Sequence, residues 1–344
     1  MTKDNIDIIK KGYFRRKFRW NVVTLFLFIL TLLLVGAMLL FGNTKYPLTT
    51  VIRVILGEQI QGASFAIGTL RLPRMLSGLL VGMALGMAGN TFQTMLRNPL
   101  ASPDIIGITS GSSVAAVFCI IILRMSGITV SIIAVASGLF VAMLIYILSK
   151  GGSFSGGRLI LIGIGIQAML NAVISFLLVK ASQYDVPAAM RWLSGSLNGM
   201  QMKDIKGLFP VVLVFGILII LFERHLKILE LGEASAITLG LKTDQVRLLL
   251  VVSSVFLIAF AASVTGPVAF VGFLAGPIAG KLVGAGSHNT IPSGLVGASL
   301  VLGADIIGQF AFGVRFPVGV ITGILGSPYL LFLLIRMNRT GGAA

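Results

Sequence analysis

Charge is the first scarcity in this chain. Lys, Arg, Asp and Glu supply 11% of its 344 residues, against 56% hydrophobic residues and a mean hydropathy of +1.00. A soluble domain carries about a quarter charged residues, so a soluble fold is excluded. A β-barrel is excluded as well, because its strands alternate apolar and polar residues, whereas these runs are apolar all round. The shortage is steepest in acids: 11 Asp and Glu face 27 Lys and Arg. Nucleic-acid binders gather such an excess on one soluble face with interleaved aromatics. Here the basic residues sit between hydrophobic runs, as membrane topology requires, and no nucleic-acid partner is expected.

Other absences remove whole classes of chemistry. The single cysteine, Cys119, lies inside an apolar run, so there is no disulfide framework and no thiol cluster. His225 and His288 have no acidic or cysteine neighbours at ligand spacing, and no metal site is expected. An intramembrane enzyme needs a serine or cysteine beside a base, or clustered metal ligands, and none is offered. There is no G-x-x-x-x-G-K-[ST] phosphate loop; GLKT at 240–243 lacks the adjacent glycine and lysine, so ATP is not split by that route. An ion-coupled carrier would bury several carboxylates or histidines as a relay. Asp305 is the clearest charged residue within a span, and it is read as hydrogen-bonded near a helix end or packed against polar partners.

What is present is a series of runs long enough to cross a bilayer, for which about 20 apolar residues suffice. Ten spans are expected, near 21–42, 68–91, 105–124, 128–148, 158–179, 208–222, 246–264, 268–285, 292–311 and 317–335. The first is too long for a signal-peptide core. This gives an all-α polytopic membrane protein with one transmembrane domain at 21–336, a basic segment at 1–20 and a tail at 337–344. TKYPLTTVIRVILGEQ, between the first two spans, looks like an interfacial or surface helix. With the N-terminus cytoplasmic, 17 of the 27 basic residues fall inside, and both termini are cytoplasmic. Two glycine ladders, Gly78, Gly82 and Gly86, then Gly272, Gly276, Gly280 and Gly284, each lie on one helix face. Tight helix packing and a pathway lining both remain open for them.

The run RLPRMLSGLLVGMALGMAGNTFQTMLRNPLASPDIIG at 71–107 resembles the FecCD-type permeases of iron–siderophore and cobalamin ABC importers. MRWLSGSL at 190–197, LGEASAITLGLKTDQVR at 231–247, GPVAFVGFLAGPIAG at 266–280 and FPVGVITGILGSPYLLFLL at 316–334 follow in the family's order. The resemblance covers nearly everything from residue 70 onward. It implies a type II ABC importer permease fold in a bacterial cell membrane, with no catalysis and no cofactor in this chain. It further implies a second permease subunit, homo- or heterodimeric, and two ATPase subunits that carry ATP and Mg. An extracytoplasmic substrate-binding protein completes the set, with membrane lipid around it. A ferric siderophore is the expected cargo, with haem or cobalamin as alternatives. An ion-coupled secondary transporter is the rival from another class.

Residue roles follow from the same resemblance. Pro73 is tolerated at a helix start, and Arg71 and Arg74, one turn apart there, resemble arginines that receive acidic residues of the binding protein. Arg315 adds a third external arginine where the family usually carries an acid. The loop at about 223–247 resembles the coupling loop seated on the ATPase, through Gly232, Glu233, Ala234, Leu239, Gly240 and Arg247. Gln93, Asn98 and Pro99 are pathway candidates, with helix breaks expected at Asn98-Pro99 and Ser102-Pro103. Many relatives carry Pro-His-x-x-Arg in the eighth span. Here Gly276, Pro277, Ile278, Ala279 and Gly280 stand there, so the role of that segment is open.

Overall fold

The structure is a computed structural model, and it describes residues 3–102, 107–149, 156–284 and 286–339. Pro103, part of one expected helix break, and the last five residues of the tail lie outside the described residues. The helices run in chain order as α1 (Lys3–Leu40), α2 (Leu48–Ile55), α3 (Leu72–Met95), α4 (Ile108–Ile121), α5 (Ile128–Ser149), α6 (Gly156–Lys180) and α7 (Val186–Leu193). They continue as α8 (Met202–Leu221), α9 (Glu223–Glu230), α10 (Glu233–Thr238), α11 (Thr243–Thr265), α12 (Val271–Val283), α13 (Thr290–Phe310) and α14 (Val318–Arg339). Among the described residues, eight helical segments are long and apolar enough to cross a membrane, and α4 and α12 are shorter apolar helices. Each falls on one of the ten expected spans. Below, the side on which α1 begins is the near side and the opposite one the far side.

Three departures from the sequence reading have physical causes. First, α1 runs unbroken through the boundary expected at residue 20, since Lys10 to Trp20 contains one glycine and no proline. Second, a π-helical turn, Phe65–Arg71, leads directly into α3, so Pro73 does not stand at a free helix start. The Leu72 amide donates five residues back, to Ile67 O, and this wider turn relieves the clash of a proline ring with the turn before it. Third, α12 has 13 residues, which cover only about 20 Å of a hydrocarbon core of about 30 Å. The missing depth is made up by the non-helical stretch 266–270. Irregular backbone survives at that depth only when protein covers it. Gly266 and Val268 are buried there, and the Ser196 amide donates to Thr265 O at 2.7 Å just before it.

That cover joins three of the quoted motifs. Gly195 lies against Pro267 O, Gly266 against Trp192 O, and Gly319 against Ser194 O, each too close for any side chain. The Gly319 amide also donates to Gly195 O at 3.0 Å. MRWLSGSL, GPVAFVGF and FPVGVITG thus meet in one far-side knot, which is a structural reason for their small residues.

At the centre stands α3. In its most apolar stretch 83% of residues are buried, against 17% for α6 at the periphery. A methyl at Gly82 would stand 2.5 Å from Cα of Ala298, and methyls at Gly86 and Gly89 would overlap the carbonyls of Ser293 and Gly272. Gly297 lies equally close to Gly82 O. The first ladder is therefore a packing seam against α13 and α12. The second ladder divides: Gly272 and Gly276 face α3, whereas Gly284 ends α12 at a φ of +90° beside Arg19. If the seam is this tight, Gly82→Ala should lower the stability of the purified protein by about 1–3 kcal/mol, as overpacking does. Gly36→Ala, in open space on α1, should not. Thermal unfolding of both variants in one detergent gives the comparison.

Candidate functional site

Three polar regions stand out, one on the far side and two on the near side. The far-side region gathers all three arginines singled out in the sequence. Arg71, Arg74 and Arg315 line one cavity of about 310 Å³ together with Asn43, Asn198 and Gln309. No carboxylate lines it. Beneath it lies Asp305, 1% exposed, which Arg74 grips with both arms of its fork: Nε donates to Oδ2 at 2.8 Å and Nη2 to Oδ1 at 2.7 Å. Gln309 Nε2 donates to the same Oδ2 at 2.7 Å, and Arg74 Nη1 donates to Asn198 Oδ1 at 2.6 Å. Asp305 is thus hydrogen-bonded near a helix end, as its sequence position suggested.

The other two arginines are held differently. Arg71 Nη1 donates to Leu39 O at 2.8 Å and Leu40 O at 3.2 Å, so it satisfies carbonyls left over at the end of α1. Its Nη2 reaches Thr44 O, and its guanidinium lies 5.1 Å from the Tyr46 ring centre. Arg315 is exposed and donates only across the rim, to Asn43 Oδ1 at 2.9 Å. The expected docking trio is therefore one buried ion pair, one helix cap and one accessible cation around a common opening.

On the near side, Gln93, Asn98 and Pro99 do share a cavity, of about 410 Å³, with Asn90, Arg97, Glu230 and Pro277. Gln93 is buried and its Nε2 donates to Phe273 O at 2.9 Å, filling the space that Gly276 leaves open. That pairing occupies part of the segment where the Pro-His-x-x-Arg pattern is missing. Asn98 closes its own turn, with Oδ1 accepting from the Leu100 amide at 2.9 Å.

Beside this cavity is a network that the sequence reading did not anticipate. Glu223, at the start of α9, accepts from the amides of Asn289 at 2.6 Å and Thr290 at 2.8 Å. A carboxylate at that place caps α13 and suits its dipole. Asn289 Nδ2 in turn donates to Asn90 Oδ1 at 2.7 Å and Gly276 O at 3.1 Å. Lys227, one turn along α9, donates to Gly286 O at 2.8 Å. Burial pushes its ammonium below the ordinary lysine range, with Glu223 and Glu230 pulling the other way. No sequence spacing announces this network, since Asn289 lies 66 residues from Glu223 and 199 from Asn90. The Arg74–Asp305 pair was legible in principle, because both residues fall at the far ends of their spans and an intramembrane acid needs a partner.

The predicted coupling loop folds as two short helices. Gly232 turns the corner between α9 and α10 at a φ of +104°, which a side chain would resist, and Gly240 ends the pair at +81°. Glu233 opens α10 and lies 3.5 Å from Arg247 Nη2, which is buried under the loop; Arg247 Nη1 stands 3.6 Å from Asp244. Leu231, Ile237 and Leu239 are 62%, 56% and 63% exposed, and Ala234 is exposed beside them. These apolar side chains stand outside the spans.

Breaking the far-side pair should be costly. Asp305→Ala leaves the Arg74 charge without its partner, a loss of about 3–5 kcal/mol for a buried pair, whereas Arg74→Met combined with Asp305→Leu should recover most of it. Unfolding of Arg74→Met, Asp305→Leu and the double variant measures the coupling. Additive single losses would mean that the pair contributes nothing.

The chain matches the model of the FecCD transport family over residues 27–336. It is 33% identical over 299 residues to the ferric enterobactin transport system permease protein FepG of Escherichia coli (strain K12), covering 87% of this chain and 91% of that one. It is 34% identical over 344 residues to the achromobactin transport system permease protein CbrC of Dickeya dadantii, covering 98% of each. The cobalamin import system permease protein BtuC of Halobacterium salinarum is 37% identical over 79% of this chain and 74% of its own. Among solved structures, an inward-facing conformation of a metal-chelate type ABC transporter superposes with a TM-score of 0.82 at 25% identity, over 92% of this chain and 99% of that one. With a full set of matching spans, this is a multi-pass membrane protein of the type II importer permease fold, and the chain belongs to the FecCD transport family.

Proposed function

We propose that this chain is the membrane-spanning permease subunit of an ATP-driven importer of ferric siderophores. A separate ATPase supplies the energy and an external binding protein supplies the substrate. The observation that carries this reading is the exposed apolar corner of α9 and α10. Leu231, Ile237 and Leu239 lie outside the hydrocarbon, where exposed large apolar groups mark an interaction site. Arg247 and Glu233 brace the corner from below, so a push on α10 is passed to α11. ATP and Mg belong to the partner in this reading, which fits a chain without a phosphate loop. The near side is then cytoplasmic, with both termini on it, in agreement with the distribution of Lys and Arg.

The far-side cavity fits the docking of a binding protein with acidic lobes. Arg315 offers the accessible cation and Arg71 supplies fixed positive charge at the rim, whereas the charge of Arg74 is balanced by Asp305. Arg74 acts there as a positioning residue, since Asp305 holds its fork. Of the cargoes considered, a ferric siderophore has the most support, because FepG and CbrC are named for siderophore systems. BtuC keeps cobalamin as the second reading. An ion-coupled carrier is not favoured: these relatives are permeases of transport and import systems, and Asp305 is committed to Arg74 rather than free for a relay.

A path between two permease subunits is supported by α6. It is the least buried of the long spans, yet Gln167, Asn171 and Ser175 recur on it every four residues, with Asn171 and Ser175 exposed. Polar side chains on a membrane helix face protein or water rather than lipid. With Cys119 replaced by Ala, Asn171→Cys should form a cross-linked species of two permease subunits in membranes under oxidation. A cysteine at lipid-facing Phe140 on α5 should not.

The test of the main reading is co-purification of a cytosolic ATPase from cells that express the tagged full-length chain. Ile237→Asp with Leu239→Asp should cut the recovered ATPase at least about tenfold while leaving thermal unfolding unchanged, as loss of a central apolar contact does. Full recovery would place the ATPase elsewhere. No ATPase with either form would return the ion-coupled reading.

A further inference from the structure

The first turns of α1 are not accounted for by any of these roles. They precede residue 27, where the match to the family begins. They are also the most basic part of the chain, and from Ile8 to Gly57 the sequence contains no acid at all. Two side chains fix this part against the bundle. Arg19 donates to Leu282 O at 2.8 Å and Lys281 O at 2.9 Å, capping the end of α12, and Trp20 Nε1 donates to His288 O at 2.6 Å. The direction of the helix beyond that clamp is therefore set.

Because α1 is one unbroken helix, its faces can be followed past the clamp. At 3.6 residues per turn, Phe14 and Phe18 continue the face that bears Val22, Phe26, Ile29 and Leu33. Those four are exposed apolar residues of the first span, where the surroundings are lipid. The bundle lies on the opposite face, marked by buried Leu27 and Met38. Phe14 and Phe18, 66% and 70% exposed, thus point toward lipid and away from any partner docked beneath the bundle. Lys10, Lys11 and Arg15 flank the two rings on this same face and are exposed as well. Arg15 and Phe18 lie about one to two turns outside the span that begins near residue 21, close to the depth of phospholipid headgroups. Lys10 and Lys11 lie about one turn further out, within reach of an anionic surface.

We propose that Lys10, Lys11 and Arg15, with Phe14 and Phe18, form a binding surface for anionic phospholipid headgroups at the near-side membrane boundary. The rings sit at headgroup depth and the cations take the phosphates. The reading does not depend on the cargo or on the ATPase. Its alternative, an acidic protein partner, would draw equally on Arg16 and Lys17, which are exposed on the other faces of these turns, and the test separates the two.

Trp20 faces the bundle, so the readout is Phe18→Trp in a Trp20→Phe background. That position lies on this surface, Arg19 still holds the helix, and the remaining tryptophan, Trp192, lies on the far side. The full-length protein is reconstituted into phosphatidylcholine vesicles that contain a minor share of phosphatidylglycerol. In one set the phosphatidylglycerol chains are brominated, in the other an equal share of the phosphatidylcholine. Preferential quenching by brominated phosphatidylglycerol is expected, corresponding to an enrichment of roughly fivefold or more, the factor for one cation at an anionic surface. The preference should fade in high salt. Lys10→Gln, Lys11→Gln and Arg15→Gln together should abolish it, and Lys10→Arg with Lys11→Arg should retain it. A change produced by the glutamine variant reports on the Phe18→Trp reporter, since Trp192 is remote from all three substitutions. Equal quenching by both lipids, or a preference that survives the glutamine variant, overturns the proposal. So does a loss of ATPase co-purification in the glutamine variant without any change in lipid preference, which would assign the surface to a protein.

Discussion

The contact on which this architecture depends is the approach of α3 to α13 and α12 at a distance that only glycine hydrogens fill. In a bilayer the lipid tails are as apolar as the side chains, so burying leucine against leucine gains little, and close backbone packing has to bring helices together. Gly82, Gly86 and Gly89 provide that approach on one side, and Gly272 and Gly297 on the other. Around this seam the remaining helices are arranged at falling degrees of burial, ending with α6. The far-side knot of Gly195, Gly266 and Gly319 repeats the principle where the chain is not helical. There, close carbonyls and amides satisfy one another at a depth that has no water.

The helix α13 joins the far-side polar region to the near-side network around Glu223. A carboxylate stands at each of its ends: Glu223 caps the first turn from α9, and Asp305 is held near the last turn by Arg74. Both acids are buried, and each is satisfied by at least two donors, which is the condition for keeping a charge in such a place. One helix therefore runs from the start of α9 on the near side to the arginine cavity at the opposite surface, with the seam along its length.

The spans were legible because hydropathy over some 20 residues reports directly on what lipid requires. The interfacial helix α2 was legible for a related reason, since its apolar residues fall on one side and only Val51 is buried. Long-range pairing was not. Nothing local tells Arg74 that Asp305, or Glu223 that Asn289, will be its neighbour, since those distances are set by how helices stack. Arg71, Arg74 and Arg315 could be grouped from topology alone, but not sorted into pair, cap and free cation. The unbroken passage of α1 through the basic segment was missed because charge suggested a boundary, whereas backbone hydrogen bonding ignores the identity of exposed side chains.

The glycine seam also bears on how such a molecule can move. A carbonyl that rests in the notch of a missing Cβ is interlocked, much as a tooth is in a rack. Sliding α13 along α3 by one residue would drive Ala298 or Ser293 into a neighbouring side chain. These helices can turn together but cannot shear past one another. Any change in the opening of the molecule then has to be taken up by hinges at the rim of this block, among the looser helices around it.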